Sequence, residues 1–333
     1  MHAQTLVTAL GVLATPSAAH AIQGFTYDST TDGGLCQGYE GFRQLFQRAK
    51  LLPGTSGFTA ARLYTSIQCG TSVDPTQAFQ AAIDTDTKLL VGLWASSGRY
   101  VYENELNALI GAAKTFGSAF TDLIVGISVG SEDLYRNSPE GVANNAGWGA
   151  TPEEIEGYIG WARDWFKGTR LESKPITHID TWTAWVLPET SGVIKAVDFL
   201  GHNSFPYFER TKPNAIEKAE YNFWSAVAAT ENVAQGKDVW ITETGWPDSG
   251  PTLGDAIASP ENARKYWRTV GCSLFGKRNT FWYTLVDGFE AHRGGWGGPG
   301  DWGGWDGWEG WRNIRFGVTP TFDSKPKYDL TCY

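Results

Sequence analysis

Eight short β-type runs, separated by helix-type or loop sequence, constrain this chain more than any other feature. They are Ile22–Tyr27, Phe58–Thr65, Lys88–Trp94, Asp122–Val129, Pro175–Thr181, Val197–Asn203, Asp238–Thr242 and Thr280–Val286. The stretches between them carry helix-start signals. Thr151-Pro152-Glu153-Glu154 supplies an N-cap Thr, a Pro at the first helical position and a capping-box Glu. Ile155, Tyr158, Ile159, Ala162, Trp165 and Phe166 then follow at helical spacing. Ser259-Pro260-Glu261 reads the same way, and Asp74-Pro75 predicts a helix start before Phe79, Ala82 and Ile83. Strands that alternate with helices make parallel sheets whose strands are buried on both faces. Eight such units predict an α/β chain folded as a single (β/α)8 TIM barrel, with its site at the C-terminal ends of the strands. A doubly wound open sheet is the alternative, but it has no need of eight units. No Pro/Ser-rich linker divides the chain, so residues 22–333 are expected to form one domain.

Residues 1–21 read as a signal peptide. Leu6 to Ala14 is an apolar run, and Ala19-His20-Ala21 supplies a small-x-small cleavage pattern, although the leader carries no Lys or Arg. The expectation is a secreted protein starting at Ile22. No later run approaches the roughly 18 apolar residues of a membrane span, so no membrane partner is expected. Cys36, Cys69, Cys272 and Cys332 are an even set in an oxidising compartment, which predicts two disulfides and leaves three pairings open. No CxxC or HxxxH spacing occurs, and neither a metal nor a cofactor is expected. Lys and Arg number 27 against 36 Asp and Glu, so the formal charge of −9 offers no field for nucleic acid.

In a barrel the polar residues just past each strand are the ones to inspect. Glu132 follows Ile127-Ser128-Val129-Gly130-Ser131 at the end of strand four. Glu243 follows Val239-Trp240-Ile241-Thr242 at the end of strand seven, and Thr244-Gly245-Trp246-Pro247 then breaks the chain. Strands four and seven lie across a barrel from one another. Glycoside hydrolysis needs two such carboxyl groups flanking one bond. The bland alternative is that each is a solvated strand-end residue; the apolar setting of Glu243 argues against it.

Trp240-Ile241-Thr242-Glu243-Thr244-Gly245-Trp246-Pro247 resembles the signature of glycoside hydrolase family 17, the β-1,3-glucanases. Val129-Gly130-Ser131-Glu132-Asp133-Leu134-Tyr135-Arg136 resembles the acid/base segment of its fungal cell-wall branch, in which Ser replaces the Asn that precedes the acid/base Glu elsewhere. Gly24-Phe25-Thr26-Tyr27, Arg62-Leu63-Tyr64 and His178-Ile179-Asp180-Thr181-Trp182 look like the family's strands one, two and five. The resemblance implies a retaining enzyme acting on β-1,3-glucan in the cell wall, by hydrolysis or glucanosyl transfer, with Glu243 as nucleophile and Glu132 as acid/base. It implies substrate contacts from Asn203 and Tyr207, and the strand-mouth aromatics Tyr27, Tyr64 and Trp246 join them as stacking candidates. The pairs Cys36–Cys69 and Cys272–Cys332 are the linkage expected on this resemblance, and the chain is expected to act as a monomer. Strand eight departs from the family: Asp287 is followed by Gly288 where relatives carry an Asp-Glu pair, with Glu290 a possible substitute, and Asp248 stands where a hydroxyl or Asn is usual.

Three further features compete with that reading. Gly126-Ile127-Ser128-Val129-Gly130 matches the GxSxG elbow of serine hydrolases, but β-branched neighbours favour an uninterrupted strand. Gly295-Trp296-Gly297-Gly298-Pro299-Gly300 matches GxGxxG, yet Pro299 and the glycines prevent the helix that motif must open. A non-catalytic glucan-binding wall protein on the same barrel is the remaining alternative. Residues 294–311 hold five Trp and nine Gly, with Trp302, Trp305, Trp308 and Trp311 three apart. Such a run suits either a sugar-stacking platform or a low-complexity loop.

Overall fold

A computed structural model describes residues 21–31, 33–287 and 314–333. The expected signal peptide (but for Ala21), Glu290 and the Trp/Gly run lie outside the described residues. Eight parallel strands close into one barrel in chain order: β1 (Gln23–Tyr27), β2 (Ala60–Leu63), β3 (Lys88–Leu93), β4 (Ile124–Ser131), β5 (Ile176–Thr181), β6 (Phe199–Asn203), β7 (Val239–Glu243) and β8 (Thr280–Trp282). Closure comes from pairing of β8 with β1, Gln23 lying opposite Thr280. Every β-type run of the sequence therefore supplies one stave.

Strand parity sorts side chains between two cores. Ala60, Leu90, Ile179, Phe199 and Phe281, from five different strands, form a second cluster in the lumen. The Phe199 and Trp240 rings stack there at 4.1 Å. Alternate residues such as Phe25 face outward and join Phe42, Phe46 and the other apolar faces of the surrounding helices. Gly24 is required by this packing, because a Cβ there would lie 2.3 Å from the Ala60 carbonyl oxygen.

The helix signals are realised at two of three sites. Thr151 caps the helix Pro152–Phe166 with the reciprocal Glu154 contact of a capping box, and Ser259 caps Pro260–Tyr266. At the third, the helix Ala78–Thr85 begins three residues later than Asp74-Pro75 predicts. Pro75 is instead held in an antiparallel bridge with Ile67, and the Gln77 amide donates to the Gln68 side chain at 2.9 Å. The loop is thus tied back before the helix can start. Cys36 is bonded to Cys69 between the segments that follow β1 and β2, and Cys272 to Cys332 between a late helix and the C-terminal tail.

Candidate active site

β7 ends on Glu243, whose residue surface is only 7% exposed. A carboxylate so placed needs partners, and β2 supplies two from one face. Arg62 points into the barrel and places Nη1 2.5 Å from Glu243 Oε1. The same Nη1 donates to the Thr242 carbonyl at 3.0 Å, and Nη2 donates to Ser131 Oγ at 2.8 Å. Tyr64, two residues on, donates its hydroxyl to Glu243 Oε1 at 2.8 Å. Burial, then the charge of Glu243, raises the Tyr64 phenol well above its usual range, so it remains a donor. One guanidinium therefore links the ends of β2, β4 and β7.

Glu132 immediately follows β4. Both candidate-bearing strands shift register near their mouths, β4 between Ser128 and Ser131 and β7 opposite His202 and Asn203. Such bulges re-aim side chains. Gly130 adopts φ +78°, and a Cβ there would collide with the Asp133 carboxylate. That carboxylate accepts from the Ser131 amide at 2.7 Å. Glu132 Oε1 accepts from Asn203 Nδ2 at 2.9 Å, while Asn203 Oδ1 accepts from Thr242 Oγ1 at 2.8 Å. Arg136 stands 3.9 Å from Glu132 Oε2, too far for a close pair. Burial first, and then the charge of Glu243, push the Glu132 carboxyl up to about 7, against the opposing pull of Arg136 and Asn203. The two carboxyl groups thus differ in kind: one is clasped by a buried cation, the other is held near neutrality.

Of the residues singled out in the sequence, Glu132, Glu243, Tyr64 and Asn203 meet at this mouth. Tyr27 does not. It shares the parity of Phe25, faces the helix layer, and packs edge-on against Phe46 at 5.0 Å. Tyr207 is fully buried and donates its hydroxyl to the Pro251 carbonyl. Trp246 is 1% exposed, and its indole donates to the Ile257 carbonyl at 3.0 Å. These three rings offer no open face for a sugar; they brace the wall behind the site. Asp287 accepts from the Phe316 and Gly317 amides, and Lys327 bridges it to Asp248. Both residues at the departures are therefore structural ties. Ser128 is buried within β4 and donates to the Gly130 carbonyl, so the GxSxG reading fails. Arg62 escaped sequence reasoning as a site residue, though a lone Arg in an apolar strand run was the available signal. Trp94, Trp182 and Tyr283 are half-buried and stand directly after β3, β5 and β8.

The BtgE/BtgC glycoside hydrolase domain is matched over residues 24–303. The chain belongs to that glycoside hydrolase family. A probable glucan endo-1,3-beta-glucosidase of Aspergillus fumigatus is 52% identical over 328 residues, which is 98% of this chain and 68% of the relative. This glycoside hydrolase chain thus spans about two-thirds of that relative's length. Among solved structures, the glycoside hydrolase family 17 beta-1,3-glucanosyltransferase of Rhizomucor miehei superposes with a TM-score of 0.68 at 22% identity, covering 93% of this chain and 98% of its own. An endo-laminarinase from Formosa gives 0.67 at 15% identity, with coverages of 93% and 85%. At those identities the likeness is one of fold, and it shows that this glycoside hydrolase has their barrel.

Proposed function

We propose that this chain is a secreted, retaining, family 17 glycosidase acting on β-1,3-glucan, with Glu243 as nucleophile and Glu132 as acid/base. The observation that carries this reading is the contrast between the two carboxyl groups across one barrel mouth. Glu243, clasped by Arg62 and Tyr64, is arranged to attack. Glu132, raised to about 7, holds a proton to give. The names of the fungal relatives at 52% identity and of the structural neighbours support the substrate class.

In the reaction, Glu243 attacks the anomeric carbon while Glu132 gives its proton to the departing glycosidic oxygen. A glucosyl ester on Glu243 results. Burial still raises Glu132, but the Glu243 charge that added to it is then gone, so its carboxyl falls and can act as a base. It takes a proton from water or from a sugar hydroxyl, whose oxygen displaces Glu243 with net retention. The half-buried Trp94, Trp182 and Tyr283 replace Tyr27, Tyr207 and Trp246 as rings for glucan to stack on. Residues 22–333 would act as one catalytic domain in the cell wall or outside the cell, without a metal.

Proton NMR of laminari-oligosaccharide cleavage tests the reading. The first-formed reducing end should be the β-anomer, and products longer than the substrate would assign glucanosyl transfer. An α-anomer formed first would exclude retention.

A further inference from the structure

Behind Glu132, on the helix-facing side of β5, lie two polar side chains with no exposure, His178 and Asp180. They are two residues apart and so share a face. Asp180 receives four N–H groups. These come from Thr181 at 2.7 Å, Leu134 at 2.9 Å, Tyr135 at 3.2 Å and His178 Nε2 at 2.9 Å. Leu134 and Tyr135 sit in the first turn of the helix Asp133–Asn137, where backbone donors have no partner within their own helix. The residue in the N-cap position is Glu132, and its side chain makes no cap contact. Asp180, from another strand, caps the helix in its place.

Glu132 itself has φ 60° and ψ 23°, in the left-handed region. A non-glycine residue stays there only where its surroundings over-determine it. Here they do. The Glu132 amide donates to the Ile179 carbonyl at 2.8 Å, Asp133 takes the Ser131 amide, and Asp180 takes the two amides downstream. His178 completes the arrangement. Its Nδ1 faces the Val129 carbonyl at 2.6 Å and its Nε2 faces Asp180. Two acceptors require two ring protons, which makes the ring an imidazolium. Burial opposes that charge, but the hydrogen bond and charge of Asp180, with Asp133 and Val129 behind them, raise His178 above its ordinary value.

We propose that Asp180, with His178 as its charge partner, is the positioning group of the acid/base, fixing the left-handed turn that aims Glu132 at the glycosidic oxygen. The proposal rests on Glu132 being the acid/base. A misplaced acid harms only substrates that need one, so the test compares leaving groups in the full chain. In Asp180→Asn, kcat/KM for laminaripentaose should fall at least 30-fold. The value for 2,4-dinitrophenyl β-laminaribioside, whose leaving group needs no proton, should stay within threefold of wild type. His178→Gln should show the same split at 5- to 10-fold, and it carries the test if Asp180→Asn does not fold. Equal losses on both substrates, or no loss on either, overturn the proposal. Glu132→Ala, assayed alongside with azide rescue, isolates the underlying reading: a variant still fully active on laminaripentaose would remove Glu132 as the acid, whatever Asp180 does.

Discussion

Arg62 and Glu243 are 181 residues apart in sequence and 2.5 Å apart in space, and the Arg62 side chain is only 1% exposed. Taking two charges out of water is costly, and the pair is tolerated because Arg62 also bonds the Thr242 carbonyl and Ser131 Oγ. The fork of the guanidinium serves three strand ends at once, which a compact ammonium could not do.

Replacing Arg62 with Met should therefore destabilise the fold and disable the site together. Removing one partner of a buried pair costs about 3–5 kcal/mol, read as a lower urea midpoint. Arg62→Lys should restore part of that stability but leave kcat/KM for laminaripentaose at least 100-fold down, because the Ser131 and Thr242 contacts are lost. Wild-type activity in Arg62→Lys would show that a single positive charge suffices.

The acid role proposed for Glu132 predicts the alkaline limit of activity. A carboxyl raised to about 7 is protonated below that pH and ionised above it. The kcat/KM for oligosaccharide should therefore fall as pH rises through about 7, approaching tenfold per unit. Asn203→Ala removes a hydrogen bond that favours the ionised form. Its alkaline limb should move to higher pH, even as its maximum falls about tenfold. A limb that moves to lower pH would contradict the contact between Asn203 and Glu132.

The barrel and the carboxyl pair were legible in the sequence for physical reasons. Eight strands announce themselves through apolar runs broken by turn and helix signals, and a Glu that ends such a run has only the mouth to occupy. The aromatic contacts were less legible because strand parity decides them. Tyr27 and Tyr64 both stand at strand mouths, yet Tyr27 shares the outward parity of Phe25 and Tyr64 the inward parity of Arg62. Trp246 lies in a loop and Tyr207 in a single 3₁₀ turn, Pro206–Phe208, where no period assigns a face. The role of Arg62 needed barrel closure itself, since nothing local brings a β2 side chain across the lumen to the end of β7.

The two departures from the resembled family meet at one lysine. Lys327 Nζ lies 2.6 Å from Asp248 Oδ1 and 3.6 Å from Asp287 Oδ2, with all three side chains at most 15% exposed. Burial raises the Asp248 carboxyl against the pull of Lys327. Lys327→Met would leave two carboxylates facing each other, which should cost about 3 kcal/mol in urea unfolding. Asp248→Asn added to that variant should recover part of the loss. Additive losses would mean that the lysine acts through packing alone.

Glu105 provides the remaining prediction, because it stands behind Tyr64. It projects from the helix Arg99–Phe116 and accepts from Thr65 Oγ1 at 2.5 Å and the Ser66 amide at 2.7 Å, the two residues that follow Tyr64. Burial pushes its carboxyl up to about 8, only partly offset by those bonds and one from the Trp94 backbone. Between its ordinary value of 4.5 and about 8, the folded chain holds a proton that the unfolded chain releases. Stability must then fall as pH rises through that window. Glu105→Gln is neutral throughout and should flatten the slope, so that its unfolding free energy drops roughly 3 kcal/mol less than wild type between pH 5 and 8.5. Other groups titrate alike in both proteins and cancel in the comparison. Urea unfolding at three pH values measures it, and parallel slopes would show that Glu105 carries its charge in the folded protein at no cost.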